Sequence, residues 1–348
     1  MRYINLLLIF VPLAIVGETL GWSPTLVFTA SALGVIPLAG LIGEATEELA
    51  AHTGPRVGGL LNATLGNAAE LIISLFAIRA GLLTLVKASI IGSILGNLLL
   101  VTGASVLLGG LRHGVQRFDR AQAGLNATML ILAVVAISVP SLFSHAIEPN
   151  HQAVERLSLG VSGVMIAIYG MGLLYTLRAQ PSDAVLREAA HTPSWSVRRA
   201  LIVLAAATAA IAWLSEVLVG SVEAVVAQLG WTEFFLGIIV IPIVGNVAEH
   251  LVAMQVALKD RMELSLSISL GSSLQIALFV APLLVFVSLA MGNPLTLVFD
   301  QFELIAMVGS SLVVALVALD GESNWLEGAQ LLAVYAILAL AFFYLPAA

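Results

Sequence analysis

The sequence has no cysteine, which excludes disulfide frameworks and thiolate metal centres. Charge is scarce as well. Asp, Glu, Lys and Arg make up 10% of the 348 residues, whereas in soluble domains they make up about a quarter. There is no basic tail and no nucleic-acid motif, and the longest hydrophilic stretch runs only from Arg178 to Arg199. A His-Glu-x-x-His metal motif is missing, and no serine pairs with a histidine in a recognisable pattern, so a membrane-embedded hydrolase is disfavoured. The chain is expected to be neither an enzyme nor a carrier of a resident cofactor.

Apolar sequence dominates instead. Hydrophobic residues are 60% of the chain and mean hydropathy is +1.05. A helix needs about 20 apolar residues to cross a bilayer. Eleven stretches qualify: 3–20, 24–45, 57–79, 84–109, 121–143, 155–177, 199–220, 231–257, 263–290, 296–318 and 325–345. Short clusters rich in Gly, Pro, Asn and charge separate them, such as Gly21-Trp22-Ser23-Pro24 and Gly292-Asn293-Pro294. The first stretch lacks a small-x-small cleavage site and reads as a retained span rather than a signal peptide.

With eleven spans, 11 of the 14 Lys and Arg residues fall on the side of the N-terminus. Only Arg79, Lys87 and Arg156 fall on the other. Positive charge marks the cytoplasmic face. The N-terminus is therefore expected in the cytoplasm and the C-terminus outside, in a prokaryotic cell membrane.

The most informative feature is a repeat. Gly66-Asn67-Ala68-Ala69-Glu70 returns 179 residues later as Gly245-Asn246-Val247-Ala248-Glu249. Aligned without a gap, 66–103 and 245–282 are identical at 10 of 38 positions, Gly92-Ser93 falling on Gly271-Ser272. The boxes lie in spans three and eight, which cross in opposite directions. The sequence predicts an all-α polytopic membrane protein made of two inverted five-helix repeats and one additional N-terminal helix. The divisions are 1–22 for that helix, 23–177 and 199–348 for the repeats, and 178–198 for a cytoplasmic linker. Inverted repeats place a substrate site near the midplane.

A carboxylate inside a spanning helix is costly and usually functional. Glu70 and Glu249 are therefore the leading candidates for cation and proton binding. Asn67 and Asn246 lie three residues before them, on the same helix face. Ser93 and Ser272 follow on the next helix, with Asn97, Gln275 and His250 as candidates for supporting contacts. Oxygen donors of this kind suit hard cations such as Ca²⁺. Glycines at 66, 92, 245 and 271 let helices approach or unwind, and Pro242 is expected to break span eight. Glu44, Glu47 and Glu48 at one mouth, and Glu223 at the other, would concentrate cations by their field.

Gly58 to Glu70, Gly-Gly-Leu-Leu-Asn-Ala-Thr-Leu-Gly-Asn-Ala-Ala-Glu, resembles the first signature of Ca²⁺/H⁺ antiporters, the cation/proton exchangers of the calcium/cation antiporter superfamily. Gly245 to His250 and Gly271 to Phe279 resemble the second. The resemblance implies export of Ca²⁺ in exchange for H⁺, with Glu70 and Glu249 as shared sites and the matching Asn, Ser and Gln residues coordinating. The partners implied are Ca²⁺, protons and the lipid bilayer, with no nucleic acid; a homo-oligomer stays open. The alternative is a Na⁺/Ca²⁺ exchanger or a broader divalent cation/H⁺ antiporter. Na⁺/Ca²⁺ exchangers carry a Thr-Ser-x-Pro-Glu type of box and a further acid on the second repeat helix. This chain has Asn-Ala-Ala-Glu and Asn-Val-Ala-Glu instead, with no acid between Glu70 and residue 118. Some relatives also carry a strongly acidic segment between the halves, whereas 178–199 mixes Asp183 and Glu188 with four arginines.

Overall fold

The computed structural model describes residues 4–147, 150–178 and 193–345. Most of the linker, including Asp183, Arg187 and Glu188, lies outside the described residues. Among those described, eight helices are long and apolar enough to cross a membrane, and two shorter apolar helices span Ile4–Thr19 and Gln301–Val317.

Proline and glycine set the helix boundaries. A short 3-10 turn leads into α1 (Phe10–Thr19). α2 (Pro24–Thr53) begins on a proline and continues past the expected end at residue 45, until Gly54 stops it at φ 83°. The expected span 57–79 is two helices, α3 (Pro55–Leu65) and α4 (Ala68–Arg79), parted by a turn at Gly66-Asn67. α5 (Leu83–His113) is followed by the short strand β1 (Gln116–Arg117). Then come α6 (Arg120–Ile147), α7 (His151–Arg178), α8 (Val197–Gly220), α9 (Val222–Leu229), α10 (Glu233–Ala257) and α11 (Met262–Ala290). α12 (Gln301–Val317), strand β2 (Glu322–Ser323) and α13 (Trp325–Tyr344) complete the chain.

Among the described residues, three helices contain a π turn: α5 at 96–101, α10 at 236–240 and α11 at 276–280. Two of these have a readable cause. Pro242 and Pro282 each follow a π turn by two residues. A proline cannot donate the i→i−4 bond, so the ladder resets by one residue instead of breaking. Pro242 thus widens its helix rather than interrupting it. The turn at 96–101 has no proline; there the Thr102 hydroxyl reaches back five residues to the Asn97 carbonyl at 2.9 Å. Its position matches 276–280 under the 179-residue offset, which gives 275–280.

The chain forms two compact units. One comprises 1–80, 170–231 and 244–248, and the other 81–169, 232–243 and 249–348. In the first, α2 packs on α1, α3 and α8, and α8 on α4. In the second, α5 packs along α13, where Gly328 lies against the backbone of Leu107 and Gly103. Without a hydrophobic drive between helices in lipid, such small-residue contacts are what let backbones associate.

At one end of the second unit three loops meet. β1 pairs antiparallel with β2. Gln116 donates to the Ala257 carbonyl at 3.1 Å and to Asp260 at 2.8 Å, and a His113 ring nitrogen lies 2.9 Å from the Leu258 carbonyl. Near the opposite end, 293–299 is not helical, although 296–318 reads as one span. Leu295, Leu297 and Phe299 are buried with a period of two. Serines satisfy the backbone here. Ser288 accepts from Leu295 N–H, Ser158 from Leu297 N–H, and Ser141 from Phe299 N–H, at 2.8–3.1 Å.

Candidate functional site

The first box sits where α4 begins. Asn67 has non-helical torsions (φ −102°, ψ 28°) and occupies the N-cap position, so Glu70 falls in the first turn. Negative charge is favoured there by the helix dipole and the exposed N–H groups of the first turn. Asn67 and Glu70 are both buried, at 2% and 5% exposure. In the second box the helix is intact, and Asn246 is again buried.

The first unit joins the two boxes directly. A β-carbon at residue 245 would lie 2.9 Å from Glu70 Oε1 and 3.1 Å from its carboxyl carbon. Gly245 therefore makes room for the Glu70 carboxylate. Gly92 serves closeness differently: a β-carbon there would collide with the Ile238 carbonyl in the π turn of α10. Gly271 has nothing within 4 Å of such an atom. Of the four box glycines, one marks a break, two permit close approach and one does neither.

In the second unit a chain of side chains crosses three helices. A His250 ring nitrogen lies 3.2 Å from Asn97 Oδ1, and Asn97 donates through Nδ2 to Ser272 Oγ at 3.1 Å. The acceptor role of Asn97 Oδ1 requires His250 to carry its proton on Nε2. Thr102 donates to Ser269 Oγ at 3.0 Å. Ser93, Asn97, Ser272 and His250 are all buried; Glu249 and Gln275 are half-buried. Thr102 and Ser269 are absent from the sequence-derived set. Their signal is weak: a Thr closing one π turn and a Ser one helical turn before Ser273.

The mouth acids differ among themselves. Glu44 is half-buried, while Glu47 and Glu223 are exposed. Glu48 is buried, and its carboxylate accepts from Ser194 N–H at 2.8 Å, Trp195 N–H at 3.0 Å and the Ser194 hydroxyl. It anchors the chain leading into α8. His52, one turn on, lies 2.7 Å from the Trp195 carbonyl, and the Arg199 guanidinium stacks 4.4 Å from the Trp195 ring.

Comparison with known proteins decides the family. The model of the sodium/calcium exchanger protein family matches residues 23–178 and 199–344. The chain belongs to this exchanger family. Within it, a relative from Aphanothece halophytica named Ca(2+)/H(+) antiporter is 43% identical, over 98% of this chain and 96% of the relative. The Ca(2+)/H(+) antiporter ChaA of Bacillus subtilis is 45% identical, over 96% of this chain and 97% of its own. The crystal structure of the Ca2+/H+ antiporter protein YfkE matches with a TM-score of 0.88 at 42% identity, covering 99% of this chain and all of that one. The H+/Ca2+ exchanger CAX shares the fold at 15% identity, with a TM-score of 0.78 over 98% of this chain and 91% of its own. The exchanger fold and the predominance of helix agree with the sequence reading, and eight helices long and apolar enough to cross a membrane among the described residues fit a membrane protein.

Proposed function

We propose that the protein exports Ca²⁺ from the cytoplasm in exchange for H⁺ by alternating access. The observation that carries this is full-length identity of 43–45% to relatives named Ca(2+)/H(+) antiporters. The seating of buried Glu70 on Gly245 of the other box supports a shared site. Glu249 follows Gly245 by four residues, which puts both on the same helix face.

In this reading eleven helices cross the membrane as two inverted repeats, 23–177 and 199–348, after the helix in 1–22. The repeat-related π turns and the two matched family segments support the duplication. The N-terminus is cytoplasmic. The meeting of the loops after α5, α10 and α12 at one end supports this parity, since all three fall on the cytoplasmic side.

The chemistry is competition for one pair of carboxylates. Glu70 and Glu249 bind one Ca²⁺, helped by Asn67, Asn246, Ser93 and Ser272, or they bind protons. A bound divalent cation and bound protons exclude each other, because each needs the same carboxylate oxygens. Either load neutralises the pair. The empty, doubly charged site is costly to occlude away from water, which suppresses uncoupled return. The Asn97 bond to Ser272 and the His250 contact to Asn97 hold the serine in place.

Purified protein in lipid vesicles with an imposed pH gradient tests the reading. It predicts Ca²⁺ movement driven by the gradient. No movement, or movement driven by Na⁺ instead, would reject it.

A further inference from the structure

We propose that Glu303 is a proton-relay residue on the outer approach, separate from the duplicated boxes. The inference rests on the Ca²⁺/H⁺ exchange proposed above. Glu303 is a carboxylate at 4% exposure on the first turn of α12. Its Oε2 accepts from Asp300 N–H at 2.8 Å, in a reciprocal capping box with the Asp300 side chain. Asp300 is at its own N-cap, and Lys87 lies on α5, which packs against α12. From α13, Phe342 stacks edge-on against Phe302 next to it.

A helix cap alone does not account for this residue. Gln completes a capping box as well as Glu does, and burying an ionisable carboxylate costs more than burying an amide. The surroundings are also built to hold it in place. The buried 293–299 segment leads directly into Asp300, with its backbone taken up by Ser141, Ser158 and Ser288.

Position gives the role its direction. α5 runs from Lys87 towards His113, and α12 from Glu303 towards β2, so Lys87 and Glu303 lie at the end opposite the three joined loops. In the proposed topology that end faces outside, where protons enter. Under the 179-residue offset Glu303 falls on Gly124, Asp300 on Ala121 and Lys87 on Leu266. The cluster has no counterpart in the other half. Two equivalent repeats give no preference between faces; an unpaired acid on one approach does.

The donor set favours a proton over a metal ion. Among the described residues no group of three or more His, Asp or Glu side chains that could hold a metal ion is present, whereas a proton needs only one carboxylate oxygen, with which it forms a covalent O–H bond. The Glu303 carboxylate takes a proton from hydronium on the outer side, forming O–H and releasing water. It then gives the proton through water to the glutamate pair and returns to the carboxylate.

The test compares wild type with Glu303→Gln in the same vesicles, in two modes. Proton-driven Ca²⁺ movement includes the proton step, whereas ⁴⁵Ca²⁺/Ca²⁺ exchange at equal pH does not. The relay predicts that Glu303→Gln lowers the proton-driven rate by about tenfold or more and leaves Ca²⁺/Ca²⁺ exchange at the wild-type rate. The slowed rate should respond to acidification of the outer side less steeply than wild type. Two unchanged modes would reduce Glu303 to a cap and overturn the proposal. Parallel loss in both would place it in the fold or the cation path, and overturn it equally. Wild type without proton-driven movement would sink the exchange reading itself.

Discussion

Glu70 rests on Gly245: the carboxylate of the first box occupies the space that any side chain at the head of the second box would fill. The repeat is therefore a physical contact as well as a pattern. Gly245→Ala should push the flexible Glu70 carboxylate aside without moving backbone. Exchange should fall by about tenfold or more, with a stability cost of only about 1 kcal/mol. Vesicle flux and thermal melting in detergent read the two effects separately. Near wild-type flux would show that the contact is incidental.

Gly92 makes the opposite case. The atom it leaves room for is a backbone carbonyl, Ile238 O, which cannot swing away. Gly92→Ala should cost about 3 kcal/mol and be seen first as poor yield or a lowered melting temperature. Gly271→Ala, its partner in the repeat, meets open space and should melt like wild type.

These two glycines show what was legible in the sequence. The repeat offset, the membrane class and the costly glutamates could be read directly, because each is a property of residue type and spacing. Which glycine touches what could not, since helix packing decides it. Pro242 was visible as a disturbance, but whether it breaks a helix or widens it depends on the neighbouring turn. The start of α12 was misread because 295–299 is apolar enough for a span. Its period of two, after Pro294, is the local sign of extended chain.

Glu48 and Glu47 are adjacent acids with different fates. Glu48 is buried under Ser194 and Trp195, and Glu47 is exposed. Glu48→Ala leaves backbone N–H groups without that acceptor, and should cost about 1–3 kcal/mol and loosen the start of α8. Hydrogen exchange at 194–199 would report it. Glu47→Gln should leave stability unchanged and shift only the apparent Ca²⁺ affinity, an effect that fades with added salt.

Asn97 holds two partners at once, so Asn97→Leu should cost more than loss of one bond. It removes the contact of His250 and the donor to Ser272. About 2 kcal/mol is expected from leaving buried polar groups short of partners, together with weaker Ca²⁺ binding. Ser272→Ala in the Asn97→Leu background should then add little. Fully additive losses would show that the two residues act independently.

The central claim is that Ca²⁺ and protons compete for Glu70 and Glu249. Calorimetric titration of the purified protein with Ca²⁺ tests it most directly, in buffers of different ionisation enthalpy at one pH. A cation that displaces protons makes the observed heat depend on the buffer. The sign is fixed: Ca²⁺ binding releases protons, so apparent affinity weakens as pH falls through the range where the pair protonates. The account predicts proton release in wild type and its loss, with much weaker binding, in both Glu70→Gln and Glu249→Gln. Tight Ca²⁺ binding with heats independent of buffer, or undiminished release in either variant, would contradict it.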